Sequence, residues 1–154
     1  MRSYYLDASA LIKHYVAELG SAWLEDAILQ PNDVLLLTSR VTMVEVWSAL
    51  ARRKREASIS SQHHADALHA FREDCLTLYR FVEFEPPVVD CAGQLLDRYP
   101  LRAYDAVQVA SCLIAGRTLA EVRLPLLIFL SADDRLLTIA RAAGLSTDNP
   151  SLHP

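Results

Sequence analysis

The chain has 154 residues, 52% hydrophobic and 22% charged, with a net charge of −4. That balance excludes a disordered chain, and its sign excludes a protein that coats nucleic acid by bulk charge. One domain over residues 1–154, with room for a full core, is the expectation at this length.

The opening run "SYYL" predicts a strand, and "SALIKHYVAE" a helix directly behind it, with Asp7 at the junction. After Gly20, "SAWLEDAIL" predicts a second helix, capped by Ser21. "DVLLLTS" is the continuous apolar run of a strand covered on both faces. Helices follow from about Arg40 to Arg55 and from about Ser60 to Tyr79. "RFVEFE" predicts a short strand ended by Pro86 and Pro87, and the next helix stops before Tyr99-Pro100. A helix from about Ala103 to Ala115 is expected to stop at Gly116. "LLIFL" is a strand, "DRLLTIARAAG" a helix with Gly144 as its stop, and "LSTDNP" a last short strand and turn. Strands separated by helices point to a three-layer α/β domain around a mainly parallel sheet.

No apolar run has the length of a bilayer span, and Asp7 and Lys13 break any signal-peptide layout. Cys75, Cys91 and Cys112 are odd in number and lack a CxxC spacing, so reduced thiols in a cytoplasmic protein are expected. His63, His64 and His69 lie on a polar helix and read as a solvated face. Trp23, Trp47, Tyr79 and Phe81 read as core or partner surface.

Four acids stand in apolar surroundings. Asp7 ends the first strand, Glu45 lies inside "VTMVEVWSAL", Asp105 inside "LRAYDAVQVASCLIA", and Asp133 just past "LLIFLSA". Each also has a plain structural reading: Asp7 and Asp133 as helix caps, Asp105 as a partner of its helix dipole, Glu45 as a solvent-facing residue. Together they mean more, because buried carboxylates need partners and bases nearby are few; Arg102 and Arg135 are the candidates for the later acids. Converging acids with too few bases suit a hard divalent cation such as Mg²⁺ or Mn²⁺, and in parallel sheets such sites form beyond the carboxyl ends of the strands.

The stretches "YYLDASALIKHY", "TSRVTMVEVWSALAR", "LRAYDAVQVASCL" and "IFLSADDRLLTIARAAGL" resemble, in order, the four blocks of the PIN-domain family. The likeness is closest to its VapC-type toxins of toxin–antitoxin systems. It implies a three-layer α/β/α fold and an Mg²⁺- or Mn²⁺-dependent endoribonuclease, with Asp7, Glu45, Asp105 and Asp133 as metal-binding and catalytic acids. Asp134 duplicates Asp133, and Ser9 and Ser131 stand where the family often carries a small hydroxyl residue near the site. An RNA substrate, a cognate antitoxin, and a homodimer or toxin–antitoxin hetero-oligomer follow from the same resemblance. Arg52, Arg53, Lys54 and Arg55 are either an RNA-phosphate patch or a solvated helix end.

Rival α/β enzymes fail on single residues. A phosphoacceptor domain needs a late lysine, and none follows Lys54; a HAD-type phosphatase needs an aspartate where Ser9 stands. A non-catalytic PIN-like binding module, and a PIN-type nuclease for RNA processing or DNA, remain as alternatives.

Overall fold

The structure, a computed structural model, describes residues 1–30 and 32–154. Its centre is a five-stranded parallel sheet of β1 (Arg2–Leu6), β2 (Val34–Ser39), β3 (Arg80–Val82), β4 (Leu127–Leu130) and β5 (Ser146–Asp148), in the order β3-β2-β1-β4-β5. Parallel neighbours cannot be joined by tight turns, so helices fill every crossover. They are α1 (Ala8–Leu11), α2 (Ser21–Trp23), α3 (Arg40–Arg55), α4 (Ser61–Thr77), α5 (Pro86–Arg98), α6 (Ala103–Glu121) and α7 (Asp134–Ala142).

Alternation along each strand sorts the side chains into two cores. Tyr5, Leu37, Leu127 and Phe129 pack with α5, α6 and α7 on one face. Tyr4, Leu6, Leu36 and Leu130 pack with α1 to α4 on the other. This is the three-layer α/β/α arrangement the sequence predicts, with every strand pair parallel.

Strand order matters for function. The chain builds outward from β1 to β2 and β3, then crosses back to β4 on the other side of β1. The helices after β1 and β4 depart to opposite faces, leaving a crevice at the carboxyl ends of these two strands.

Three elements differ from the sequence expectation. The helix over "SALIKHYVAE" ends at Leu11 and tightens to a 3-10 turn at Ile12–His14. Lys13 is buried there and donates to the Leu19 carbonyl at 2.8 Å, turning the chain toward Gly20. Gly20 has φ +88°, and a Cβ on it would lie 2.3 Å from the Pro150 carbonyl oxygen, so only glycine fits. The helix over "SAWLEDAIL" starts at Ser21 with Gly20, not Ser21, at the N-cap, and widens to a π-helix at Leu24–Leu29. Trp23 is half-buried against the core of the α1–α4 face, and its ring stacks on His153 at 4.1 Å.

The third difference is α6, which runs through Gly116 to Glu121. A single helical glycine costs only about 1 kcal/mol, and one turn beyond it Leu119 still packs against the core. The helix ends where Arg123 takes φ 57°. Cys91 and Cys112 are buried, Cys75 is half-buried, and all three are free thiols.

Candidate active site

β1 and β4 end in register, Leu6 opposite Leu130, and the Asp7 N–H donates to the Leu130 carbonyl at 3.1 Å. Asp7 then N-caps α1: its Oδ1 accepts the Ala10 N–H at 2.9 Å and the Ser9 hydroxyl at 2.7 Å. Cap and buried carboxylate are therefore one geometry, with Asp7 only 4% exposed. Burial pushes its carboxyl up to about 6, against the pull of the Ser131 and Ser9 hydroxyls and the Ala10 N–H; the charge of Asp105 adds to the rise.

Asp105 stands in the first turn of α6, half-buried, and its carboxyl is raised by burial and then by the charge of Asp133. Arg102 and Arg135 oppose that rise from a distance. Neither forms an ion pair with an acid among the described residues.

Glu45 reaches the site from α3. Burial raises its carboxyl, as do the charges of Asp7 and Asp105, while a hydrogen bond from Gln108 lowers it. The four acids thus feel one another across four segments of chain. Among the described residues no Lys, Arg or His lies within salt-bridge distance of any of them.

Asp133 and Asp134 are separated by where α7 begins. Asp133 is the N-cap, its Oδ1 accepting the Arg135 and Leu136 N–H groups at 3.0 and 3.2 Å. It faces both clefts at the site. Asp134 accepts from the Asn149 amide at 2.8 Å instead, and lines neither. Between the strand ends, the Ser9 and Ser131 hydroxyls lie 3.2 Å apart, and the Ala132 and Asp133 N–H groups donate to them at 2.9 and 3.1 Å respectively.

The two clefts meet at Arg102 and Asp133, and the buried Asp7 lines neither. One, of about 470 Å³, is lined by Leu101, Arg102, Asp105, Asp133 and Arg135. The other, of about 680 Å³, includes Ser9, Glu45, Arg52, Arg53, Tyr104 and Asp133. The basic run is divided: Arg52 and Arg53 line the larger cleft, whereas Lys54 and Arg55 are exposed and line neither. Arg53 is partly engaged, 3.7 Å from Glu18. His63, His64 and His69 lie on α4, away from both clefts; His63 bonds the Tyr15 carbonyl at 3.0 Å.

Sequence reasoning missed Gln108, a buried amide bonded to Glu45, and Tyr104, a half-exposed ring in the larger cleft. The one available signal for Gln108 was a lone amide in the apolar stretch "AVQVASC", one turn after Asp105.

A family model for the PIN domain matches residues 4–142. The chain belongs to the PIN-domain family. Two proteins of Mycobacterium tuberculosis, ribonuclease VapC45 (strain CDC 1551 / Oshkosh) and ribonuclease VapC49 (strain ATCC 25618 / H37Rv), are each 36% identical to this PIN-domain chain over 150 residues, 97% of either partner. In fold alone the PIN domain is similar to a chain of a toxin–antitoxin complex from Klebsiella pneumoniae. The TM-score is 0.58 at 15% identity, over 96% of this chain and 97% of that one. No helix among the described residues is long and apolar enough to cross a membrane.

Proposed function

We propose that this PIN-domain chain is a divalent-cation-dependent endoribonuclease and the toxin of a toxin–antitoxin pair. One observation carries the reading: Asp7, Glu45, Asp105 and Asp133 gather at the carboxyl edge of the sheet with no basic side chain bonded to them. The ribonuclease relatives and the toxin–antitoxin complex of like fold support the substrate class and the kind of partner.

The donor set fits Mg²⁺ or Mn²⁺, being oxygen alone and in excess of local positive charge. Among the described residues no three such side chains form a ready-made ligand cage. A hard cation such as Mg²⁺ is commonly held by one or two carboxylates, with water and substrate phosphate completing its shell.

When bound, such a cation offsets the charge of the scissile phosphate and acidifies a water molecule. The chain's own residues do the rest. Asp7 is fixed by Ser9 and Ala10 through one oxygen and presents the carboxyl edge of β1. Asp133 commits one oxygen to capping α7, which orients the carboxylate toward both clefts. Glu45 closes the site from α3, where it orients the attacking water or adds a ligand. Arg52 and Arg53 hold RNA phosphates along the larger cleft.

Cleavage of a structured RNA panel including tRNAs, with and without Mg²⁺ or Mn²⁺, tests the reading beside Asp7→Asn and Asp105→Asn. Metal-dependent cuts lost in both folded variants are the expected result. Cuts unaffected by metal removal or by either substitution overturn it.

A further inference from the structure

Gln108 lies one turn beyond Asp105 on α6, 1% exposed, with its amide fully committed. The Tyr5 hydroxyl donates to its Oε1 at 2.6 Å. Its Nε2 donates to Thr42 Oγ1 at 2.8 Å and to Glu45 Oε1 at 2.6 Å. The opposite amide orientation would set two oxygens 2.6 Å apart, one of them on a carboxylate, with no proton between. The three contacts therefore allow one orientation, with both amide hydrogens aimed at α3.

This bond has a consequence for Glu45. Its Oε1 is held by Gln108, and its Oε2 has no hydrogen-bond partner among the described residues. Glu45 is a flexible side chain on a helix, near the negative charges of Asp7 and Asp105. Left alone it would turn away from them into solvent. The amide holds it at the site, and Tyr5 of β1 and Thr42 of α3 hold the amide.

We infer that Gln108 is the positioning residue for Glu45, fixing one carboxylate oxygen through the Tyr5–Gln108–Thr42 set so that the other faces the divalent cation of the site. The inference rests on the proposed function and adds a residue to it. Donors of this kind behind a metal-facing carboxylate typically carry tenfold to hundredfold in metal affinity.

Mn²⁺ binding measured by calorimetry on the full chain tests this without reference to activity. Gln108→Leu is expected to weaken binding at least about tenfold. Tyr5→Phe, which keeps the ring packed 5.6 Å from Phe129, is expected to weaken it less. In a Glu45→Gln background, Gln108→Leu is expected to add no further loss, because there is no carboxylate left to position; a purely structural role would add the same loss in both backgrounds.

Binding unchanged by Gln108→Leu, or an equal loss with and without Glu45, overturns the inference. Should Gln108→Leu fail to fold, Tyr5→Phe in the two backgrounds carries the same test. Wild type that binds no Mn²⁺ overturns both this inference and the function it rests on, whereas wild-type binding with indifferent variants overturns this one alone.

Discussion

The Ser9 hydroxyl donates to Asp7 Oδ1 at 2.7 Å and accepts the Ala132 N–H at 2.9 Å, so one side chain ties the end of β1 to the turn beyond β4. Ser9→Ala leaves the Ala132 N–H without its acceptor and leaves Asp7 held by the Ala10 N–H without the Ser9 hydroxyl. A loss of about 1 to 2 kcal/mol in stability is expected, read by denaturant melts. On the proposed function, RNA cleavage should fall about tenfold, the usual effect of removing a hydrogen-bond partner behind a metal ligand. Full cleavage at reduced stability would limit Ser9 to a structural tie.

Asp7 makes the metal-free protein sensitive to pH in an unusual direction. Its carboxyl is pushed up to about 6 by burial, so between the ordinary carboxylate range and that value the folded chain holds a proton the unfolded chain has released. The stabilising term is fully present below about 4 and lost as pH rises through about 6, up to about 3 kcal/mol in all. Asp7→Asn should remove this fall and melt above wild type at pH 7.5 in chelator. Mg²⁺ should then raise the melting temperature of wild type more than that of the variant. A variant less stable than wild type in chelator would contradict this account.

Asp133 and Asp134 make a controlled pair. Asp133→Asn keeps an oxygen to cap α7 and should fold normally while losing most RNA cleavage. Asp134→Ala breaks only the bond from Asn149, costing about 1 kcal/mol, and should cleave as wild type. The reverse pattern of activities would move the site to Asp134.

Arg52 and Arg53 line the larger cleft, whereas Lys54 and Arg55 line neither. Each phosphate contact to single-stranded RNA adds about 0.7 to the slope of log affinity against log salt. Arg52→Ala should therefore lower that slope by about this amount in binding titrations. Arg55→Ala should leave it unchanged, and equal effects of the two would return the whole run to bulk charge.

The acids were legible because a carboxylate in an apolar stretch with few bases is an electrostatic anomaly on the page, as at Glu45 between Val44 and Val46. Gln108 was not, since a neutral amide creates no such deficit and its partners come from β1 and α3, far off in sequence. The choice between Asp133 and Asp134 depended on which residue starts α7, a boundary that pattern alone places to within a few positions. The division of the basic run, with Arg52 and Arg53 at the larger cleft and Lys54 and Arg55 outside it, depends on how α3 packs and is not written in the run itself. At the level of fold, the strands and α3 followed from apolar runs and periodicity, and α6 overran Gly116 because a lone glycine is a weak helix stop and Leu119 beyond it packs on the core.

The four carboxylates come from β1, α3, α6 and the start of α7, spanning Asp7 to Asp133. No fragment cut short before β4 carries all four, and such a fragment also lacks the strand that seats Ser131 against Ser9. On the proposed function, a fragment ending before β4 lacks Asp133 and is expected to lose most RNA cleavage, as Asp133→Asn is. The site thus depends on β4 docking beside β1, a pairing of strands more than a hundred residues apart in the chain.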